Sequence, residues 1–178
     1  MSSEERQEHI LIEGDCCVEL DYGQMSLLLL YARAEAQEHL PSGDLYDLSE
    51  YGIPTESRPG IKKVIQAIIN SPKIPRRLPK GSRKHIPSRI SFRDILGAVE
   101  RRHPAIYPQM TSGIGMQLFR KESDILIDVL ITLQARGIVA LPVHDAVIVM
   151  DEHHLLTTEI MKEVFKRHTG ITPEVTLG

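Results

Sequence analysis

The sequence has no apolar run that approaches the ~20 residues of a membrane-spanning helix, so we expect no membrane partner. Its first residues, MSSEERQEH, are polar and acidic and do not resemble a secretory signal. Cysteine is scarce as well, since Cys16 and Cys17 are the only two and no CxxC motif occurs. Adjacent residues of a strand point to opposite faces, which makes this pair a poor candidate for a disulfide or a shared metal. These features predict a cytoplasmic protein.

The sequence also lacks the excess of positive charge that marks many nucleic-acid-binding proteins, since its formal net charge is −3 at pH 7. The charge is unevenly distributed. Residues 73–93 contain eight Lys or Arg and no Asp or Glu, so the remainder of the chain is acidic. A local basic stripe of this kind can contact phosphates. The alternative is a solvated, partly disordered loop, and the segment alone does not decide between the two.

The order of predicted elements indicates the fold class. The 178 residues suffice for one domain with a real core, and we find no internal repeat. The predicted elements are a strand at 16–21, helices at 24–37 and 57–70, a proline-rich basic loop at 71–90, helices at 91–103 and 113–136, a strand or hairpin over 138–150, a helix at 153–169 and a closing strand in PEVTL. Strands alternate irregularly with helices, which predicts an α+β fold with a small antiparallel sheet flanked by helices. Ser57 and Ser91 are the expected N-caps of their helices.

The segment IVALPVHDAVIVM, residues 138–150, contains two polar residues, His144 and Asp145, among eleven apolar ones. Burying an ionised carboxylate is costly unless it is paired or binds a metal. If this segment lies beside the strand that ends in VELD, Asp145 meets Asp21. Two ionised carboxylates repel each other, and a shared proton or a divalent cation would offset the repulsion. Mg²⁺ fits, since it prefers oxygen ligands and keeps waters and substrate phosphates in its shell.

Each of these residues also has a purely structural interpretation. Asp21 lies between a strand and a helix, where an Asp often serves as an N-cap. His144 and Asp145 could form the tip of a hairpin with both side chains in water. The two aspartates together favour the metal interpretation, because both lie at the edge of an apolar strand.

Three segments resemble the motifs of family A DNA polymerases. VELDYGQMSLLLLYA resembles motif A, usually written DYSQIELR, and PVHDAVIV resembles motif C. RPGIKKVIQAIINS is similar to motif B, the fingers helix, and ESDIL lies in a helix that resembles one of the palm. The order is that of the family, and the resemblance covers about residues 16–178. Residues 1–14 are expected to form a flexible leader, and the resemblance implies a palm at 15–56 and 105–178 and reduced fingers with the basic loop at 57–104.

The resemblance implies template-directed nucleotidyl transfer with two Mg²⁺ ions. Asp21 and Asp145 would be catalytic and would hold both ions, helped by the backbone carbonyl of Tyr22. Arg58 and Lys62 would face the triphosphate of the incoming nucleotide, although an exposed basic helix start is the structural alternative. The partners implied are nucleoside triphosphates and a primed template.

Further positions follow from the same resemblance. His144 would lie near the primer terminus, and Ser26 would lie near the sugar of the nucleotide. The resemblance also predicts contacts with nucleic acid from the long helix that precedes motif C, and the local charge predicts them from the basic segment. The residues concerned are Arg76, Arg77, Lys80, Arg83, Lys84, Gln117 and Arg120.

The chain departs from the family pattern at several positions. Ser26 replaces the motif A Glu that helps exclude ribonucleotides, so the choice of sugar is open. Gln66 and Asn70 replace the aromatic residues of motif B, and Ala146 replaces the Glu that follows the motif C Asp. The family also carries a thumb before motif A, whereas only about fourteen residues precede the strand here. A second chain could supply a thumb, or the sequence is part of a larger polymerase.

Three other functions compete with the polymerase hypothesis. The first is a non-catalytic palm that binds nucleic acid or acts as a replication accessory protein. The others are an α+β domain without a catalytic role and a small metal-dependent phosphohydrolase that uses the same two carboxylates.

Overall fold

The computed structural model describes residues 5–6 and 9–178 and divides the chain into two compact units. One unit contains residues 1–29 and 120–178, and the other contains residues 30–119. The helices with described bounds are α1 (Met25–Arg33), α2 (Arg58–Ile69), α3 (Phe92–Arg102), α4 (Tyr107–Met110), α5 (Gly115–Gln134) and α6 (His154–Thr169). Within the described part of the chain, no helix is both long enough and apolar enough to cross a bilayer.

The first unit contains a five-stranded antiparallel sheet. Its strands are β1 (Leu11–Ile12), β2 (Asp15–Tyr22), β3 (Ala140–Val143), β4 (Ala146–Met150) and β5 (Val175–Leu177). They follow the order β1-β2-β4-β3, and β5 also pairs with β2. Strand β4 is apolar and buried along its whole length, as expected for a central strand. The predicted α+β class with a small antiparallel sheet is therefore confirmed.

The two faces of β2 pack against different parts of the first unit. On one face, the Tyr22 hydroxyl donates a hydrogen bond of 2.8 Å to the backbone carbonyl of Met161 in α6. Its ring lies 5.2 Å from that of Phe165, so this face is held against α6. The opposite face carries Cys17, which is buried in a small apolar cluster, whereas Cys16 is exposed and both thiols are free. The alternation expected for two adjacent strand residues is thus observed.

Part of the predicted flexible leader belongs to the sheet. Residues 1–4 and 7–8 of that leader lie outside the described residues. Strand β1 pairs with the start of β2, and Arg6 donates hydrogen bonds of 2.6 and 2.8 Å to the Glu19 carboxylate. Glu19 is only 6% exposed, so its burial calls for such a charge partner. The leader was expected to be flexible because its polar composition gives no sign of this contact.

Within the second unit, hydrogen bonds around the buried residue His103 connect segments that are far apart in the sequence. The Tyr31 hydroxyl lies 2.9 Å from His103 Nδ1, and His103 Nε2 lies 2.8 Å from the backbone carbonyl of Leu45. Arg102 donates a hydrogen bond of 2.9 Å to the carbonyl of Ser42. Residues 30–56 therefore belong to the same compact unit as α3. For this reason the observed division differs from the boundaries expected at 57 and 105.

The two helix starts predicted at serines have different geometries. Ser91 accepts a hydrogen bond from the backbone N–H of Asp94, and the Asp94 carboxylate accepts one from the backbone N–H of Ser91. This reciprocal capping box confirms Ser91 as the N-cap of α3. Ser57, by contrast, is buried and its side chain makes no cap bond. A short 3₁₀ turn, Thr55–Ser57, leads directly into α2, which leaves Ser57 helical instead of extended.

The basic loop is folded against the first turn of α2. A Cβ atom added to Gly60 would lie 2.8 Å from Ile86 Cγ1 and 3.0 Å from the carbonyl oxygen of Ser82. Both neighbours are buried, and the Ser82 hydroxyl donates a hydrogen bond of 2.7 Å to the carbonyl of Pro79. Glycine at position 60 therefore permits this close approach. The alternative of a solvated, partly disordered loop does not describe this part of the segment.

Candidate active site

The two aspartates predicted to be catalytic lie at neighbouring ends of β2 and β4. Asp21 is paired with Ala146 in the antiparallel register, and Asp145 immediately precedes Ala146. Strands β3 and β4 form a hairpin in which Val143 pairs with Ala146, so the turn has only two central residues. The first of them, His144, has a φ of 55°, in the left-handed region that tight hairpin turns require. The predicted meeting of the two strand ends is confirmed.

The exposure of these side chains separates the alternatives. His144 is exposed, whereas Asp21 and Asp145 are half-buried. The hairpin-tip interpretation is therefore right about the position of both residues, but Asp145 is not fully in water. Asp21 lies inside β2, and α1 begins only at Met25, so Asp21 is not the residue that precedes this helix.

The backbone of Tyr22 faces the same place. Its ring is buried against α6, so only its main chain is available to a ligand. On the β5 side, the backbone carbonyl of Glu19 accepts a hydrogen bond from the backbone N–H of Gly178. The backbone N–H of Gly23 donates one to the backbone carbonyl of Glu174. Backbone groups alternate between the two edges of an antiparallel strand. The Tyr22 carbonyl therefore points to the opposite edge, on the side of β4 and the hairpin tip.

A third carboxylate, which the sequence motifs do not predict, lies beside this pair. The Ser26 hydroxyl donates a hydrogen bond of 3.1 Å to Glu122 Oε1, and Glu122 is close enough to feel the charge of Asp145. Burial raises the pKa of the Glu122 carboxyl, the Ser26 hydrogen bond opposes this, and the charge of Asp145 adds to it. Ser26, predicted to lie near the sugar, is thus engaged with a side chain of α5.

The sequence does contain a signal for Glu122. Helix α5 has a buried stripe formed by Leu118, Ile125, Val129 and Leu133. Glu122 lies on the same stripe, four residues after the first of these and three before the second. A carboxylate on the apolar face of an amphipathic helix requires a partner, which is the clue that periodicity alone offers.

The oxygen atoms at this strand edge fit Mg²⁺. Among the residues that the structure describes, no three His, Cys, Asp or Glu side chains form a group that could hold a metal ion. Mg²⁺ does not need such a cage, because it is usually bound by one or two carboxylates together with waters and substrate phosphates. Asp21, Asp145 and the Tyr22 carbonyl supply that smaller set.

The second unit carries a cleft rich in cations at the start of α2. Arg58 and Lys62 lie four residues apart on this helix, as predicted, and line an open cleft of about 650 Å³. Lys63 and Lys80 line it as well, the latter from the basic loop. The Lys63 ammonium lies 3.5 Å from the carbonyl oxygen of Gly81, a contact that holds the loop to the helix. We call this feature the cationic cleft.

The cations of the cationic cleft are not equally available. Arg58 forms a close ion pair with Asp44, and its guanidinium lies 5.4 Å from the centre of the Tyr46 ring. Lys62 and Lys80 make no ion pair within the described part of the chain. An incoming anion would meet the lysines directly but would compete with Asp44 for Arg58.

No family model and no curated protein sequence matches this chain. The likeness to family A DNA polymerases therefore rests on the three motifs and their order. The arrangement of motifs A and C at neighbouring strand ends is the structural observation that accompanies it.

The residues expected to contact nucleic acid fall into two groups. Most are exposed and available to a ligand, namely Arg76, Arg77, Lys80, Lys84, Gln117 and Arg120. Arg83 differs, because its guanidinium donates hydrogen bonds of 3.1 Å to the carbonyl of Pro87 and 3.0 Å to that of Ile90. These bonds close the loop, so the structure gives Arg83 a role within the fold.

Proposed function

We propose that this chain is the palm and fingers region of a template-directed nucleotidyltransferase that resembles a DNA polymerase. The observation that carries the proposal is the register of β2 and β4, which brings Asp21 and Asp145 to neighbouring strand ends. The substrates are a primed nucleic-acid template and nucleoside triphosphates, and the activity belongs in the cytoplasm. A second chain could supply the thumb.

The residues at the strand edge would act by holding charge in place. Two Mg²⁺ ions held there would supply the charge stabilisation that an in-line displacement at phosphorus requires. Asp21 and Asp145 provide the anionic oxygens that hold them, and the Tyr22 carbonyl adds a neutral one. The half-buried setting strengthens these electrostatic interactions relative to water. His144, exposed at the hairpin tip, is suited to contact the primer terminus.

The cationic cleft would bind the triphosphate. Phosphoryl transfer depends mainly on positioning and on neutralising the charge of the phosphates. Lys62 and Lys80 offer ammonium groups from the helix and from the loop. Arg58 would join them when the phosphates displace Asp44 from its guanidinium.

A second candidate is a non-catalytic palm that binds nucleic acid as a replication accessory protein. The ion pair between Arg58 and Asp44 favours it, because a committed nucleotide site would keep this guanidinium available. The hydrogen bond between Ser26 and Glu122 favours it as well, because it occupies the side chain that would lie near the sugar of a nucleotide. The two candidates differ in whether Mg²⁺ and nucleotides produce a longer primer.

Primer extension by the purified chain tests the proposal. We expect a labelled primer on a template to be extended with Mg²⁺, and separate reactions with deoxynucleotides and ribonucleotides measure the sugar preference that Ser26 allows. Extension should stop when EDTA is added. Binding of the primed template without any extension would instead support the non-catalytic candidate.

Charge changes at the cationic cleft should alter nucleotide binding in opposite directions. We expect Lys62→Ala to weaken the binding of a fluorescent nucleoside triphosphate by about tenfold, or ~1.4 kcal/mol, because a charge-assisted contact is lost. Asp44→Asn should tighten binding severalfold, because it releases Arg58. Lys84→Ala is the matched control, since Lys84 is exposed on the same basic segment and does not line the cleft. Equal effects of Lys62→Ala and Lys84→Ala would argue against the cleft as the nucleotide site.

A further inference from the structure

A second cleft in the residue 30–119 unit is lined by three arginines that the polymerase motifs do not include. Its volume is about 520 Å³, and Arg89, Arg93 and Arg101 contribute to its walls. We call it the arginine groove. Tyr51 also lines it, and the Arg101 guanidinium lies 5.5 Å from the centre of the Tyr51 ring.

The floor of the arginine groove includes a glycine that packing does not require. Gly97 lies in the middle of α3, where glycine is less favourable than alanine. A Cβ atom at this position would meet only the Arg101 guanidinium, at an ordinary contact distance of 3.5 Å. The fold would therefore accept a side chain here. Without one, the Arg101 guanidinium lies beside Gly97 at the lining of the groove.

The arginines of the groove are available to a ligand. All three are exposed, and none forms an ion pair within the described part of the chain. The one acidic side chain in the lining, Asp94, is occupied at the start of the helix, where it accepts hydrogen bonds from the backbone and hydroxyl of Ser91. The groove thus has a net positive charge.

The spacing of the arginines indicates the kind of anion. Arg93, Gly97 and Arg101 follow one another at intervals of four residues, so they share a face of the helix. The Cα atoms of the two arginines are separated by about 12 Å along the helix axis. One strand of a duplex carries a charge about every 3.4 Å of its axis, so this distance spans several phosphates. A row of cations suits a line of phosphates better than a single compact anion.

We infer that the arginine groove binds the phosphodiester backbone of nucleic acid. Arg89, Arg93 and Arg101 would contact phosphates along one strand, with Arg101 held beside Gly97 and Tyr51. The contact is independent of base sequence, because arginines that meet phosphates position a nucleic acid without reading it. It would hold the strand whether or not the carboxylates at the sheet are catalytic.

A binding assay with a fluorescein-labelled dT₂₀ strand and the whole chain tests this inference. Fluorescence anisotropy measures the binding at several salt concentrations, without Mg²⁺ or nucleotides. We expect the double variant Arg93→Gln/Arg101→Gln to bind at least about tenfold more weakly at low salt. The slope of log K against log salt should become shallower by about 1.4, which is the loss of two phosphate contacts on a single strand. Glutamine keeps an aliphatic stem and a polar end but carries no charge. Thermal melting checks that both proteins are folded.

The control for this experiment is Arg136→Gln/Lys166→Gln, which removes the same charge from exposed positions that do not line the groove. An unchanged affinity and slope in the groove variant would overturn the inference, as would an equal loss in the control. Failure of the wild-type chain to bind dT₂₀ would also overturn it. Loss of tripolyphosphate binding without loss of dT₂₀ binding would assign the groove to a free anion instead. Because the assay contains no nucleotide and no metal, its failure is distinguishable from a failure of primer extension.

Discussion

Replacing Asp145 with asparagine is expected to reduce Mg²⁺-dependent primer extension by at least about 100-fold, the scale of losing one electrostatic contributor to a transition state. Asparagine keeps the size of the side chain and one oxygen but removes the negative charge that is proposed to hold the cation. Asp21→Asn should have a similar effect, because both residues lie at the same strand edge. Rates of single-nucleotide incorporation by equal amounts of wild-type and variant chain measure the loss.

The stability of the same variant separates catalysis from folding. Asp21, Asp145 and Glu122 place negative charge close together without a bound cation, and like charges of this kind repel. Asp145→Asn should therefore unfold at the same temperature as the wild-type chain or higher. Asp124→Asn, an exposed carboxylate of α5, is the matched control and should keep full activity. Unimpaired extension by the Asp145 variant would show that the assigned role is wrong.

Acidification is expected to destabilise the protein through His103. Burial is the largest cause that lowers the pKa of His103, to about 4, and the nearby charge of Arg102 lowers it further while the hydrogen bond with Leu45 opposes the shift. In the unfolded chain the same imidazole has its ordinary pKa of about 6.5. The unfolded state therefore binds a proton first as the pH falls. The contribution of His103 to the free energy of unfolding is fully present above about pH 6.5. It is lost progressively toward pH 4, by up to about 3 kcal/mol.

The structural reason is that the ring is held in its neutral form. The Tyr31 hydroxyl donates to Nδ1, and Nε2 donates to the carbonyl of Leu45. Protonating Nδ1 would remove the acceptor of the Tyr31 hydrogen bond and would place a positive charge inside the core. Denaturant unfolding between pH 7.5 and 4.5 measures the effect, and His103→Gln should be less stable at neutral pH but lose less stability on acidification. His39→Gln, at an exposed histidine, is the control, and parallel pH profiles for wild type and His103→Gln would contradict the assignment.

The elements that the sequence predicted best are those with a strong local pattern. The apolar segment around Val147 reads as a buried strand without any tertiary information, and VELD reads as its partner. Their pairing brings Asp21 beside Asp145, as expected. The cap at Ser91 was equally predictable, because the capping box is formed by residues only three apart in the sequence.

The features that the sequence did not predict depend on distant partners. Glu122 belongs to the site because it meets Ser26, which is ninety-six residues away. Glu19 fixes Arg6 across thirteen residues, and nothing in the leader's composition suggests that contact. The observed boundaries of the units differ from the expected ones for the same reason, because His103 contacts residues far earlier in the chain. Periodicity reports which side of a helix is buried but not which element covers it.

The two-residue hairpin turn at His144 makes the site sensitive to chain length. Side chains along a strand alternate between faces, so a shift of one residue moves every side chain to the opposite face of the sheet. A single insertion or deletion in this turn would shift Asp145 relative to Asp21, whereas a substitution at His144 would keep the register and change only how well the left-handed conformation is tolerated. Among natural variants that keep the site, the number of residues between Val143 and Ala146 should therefore be more constant than their identity.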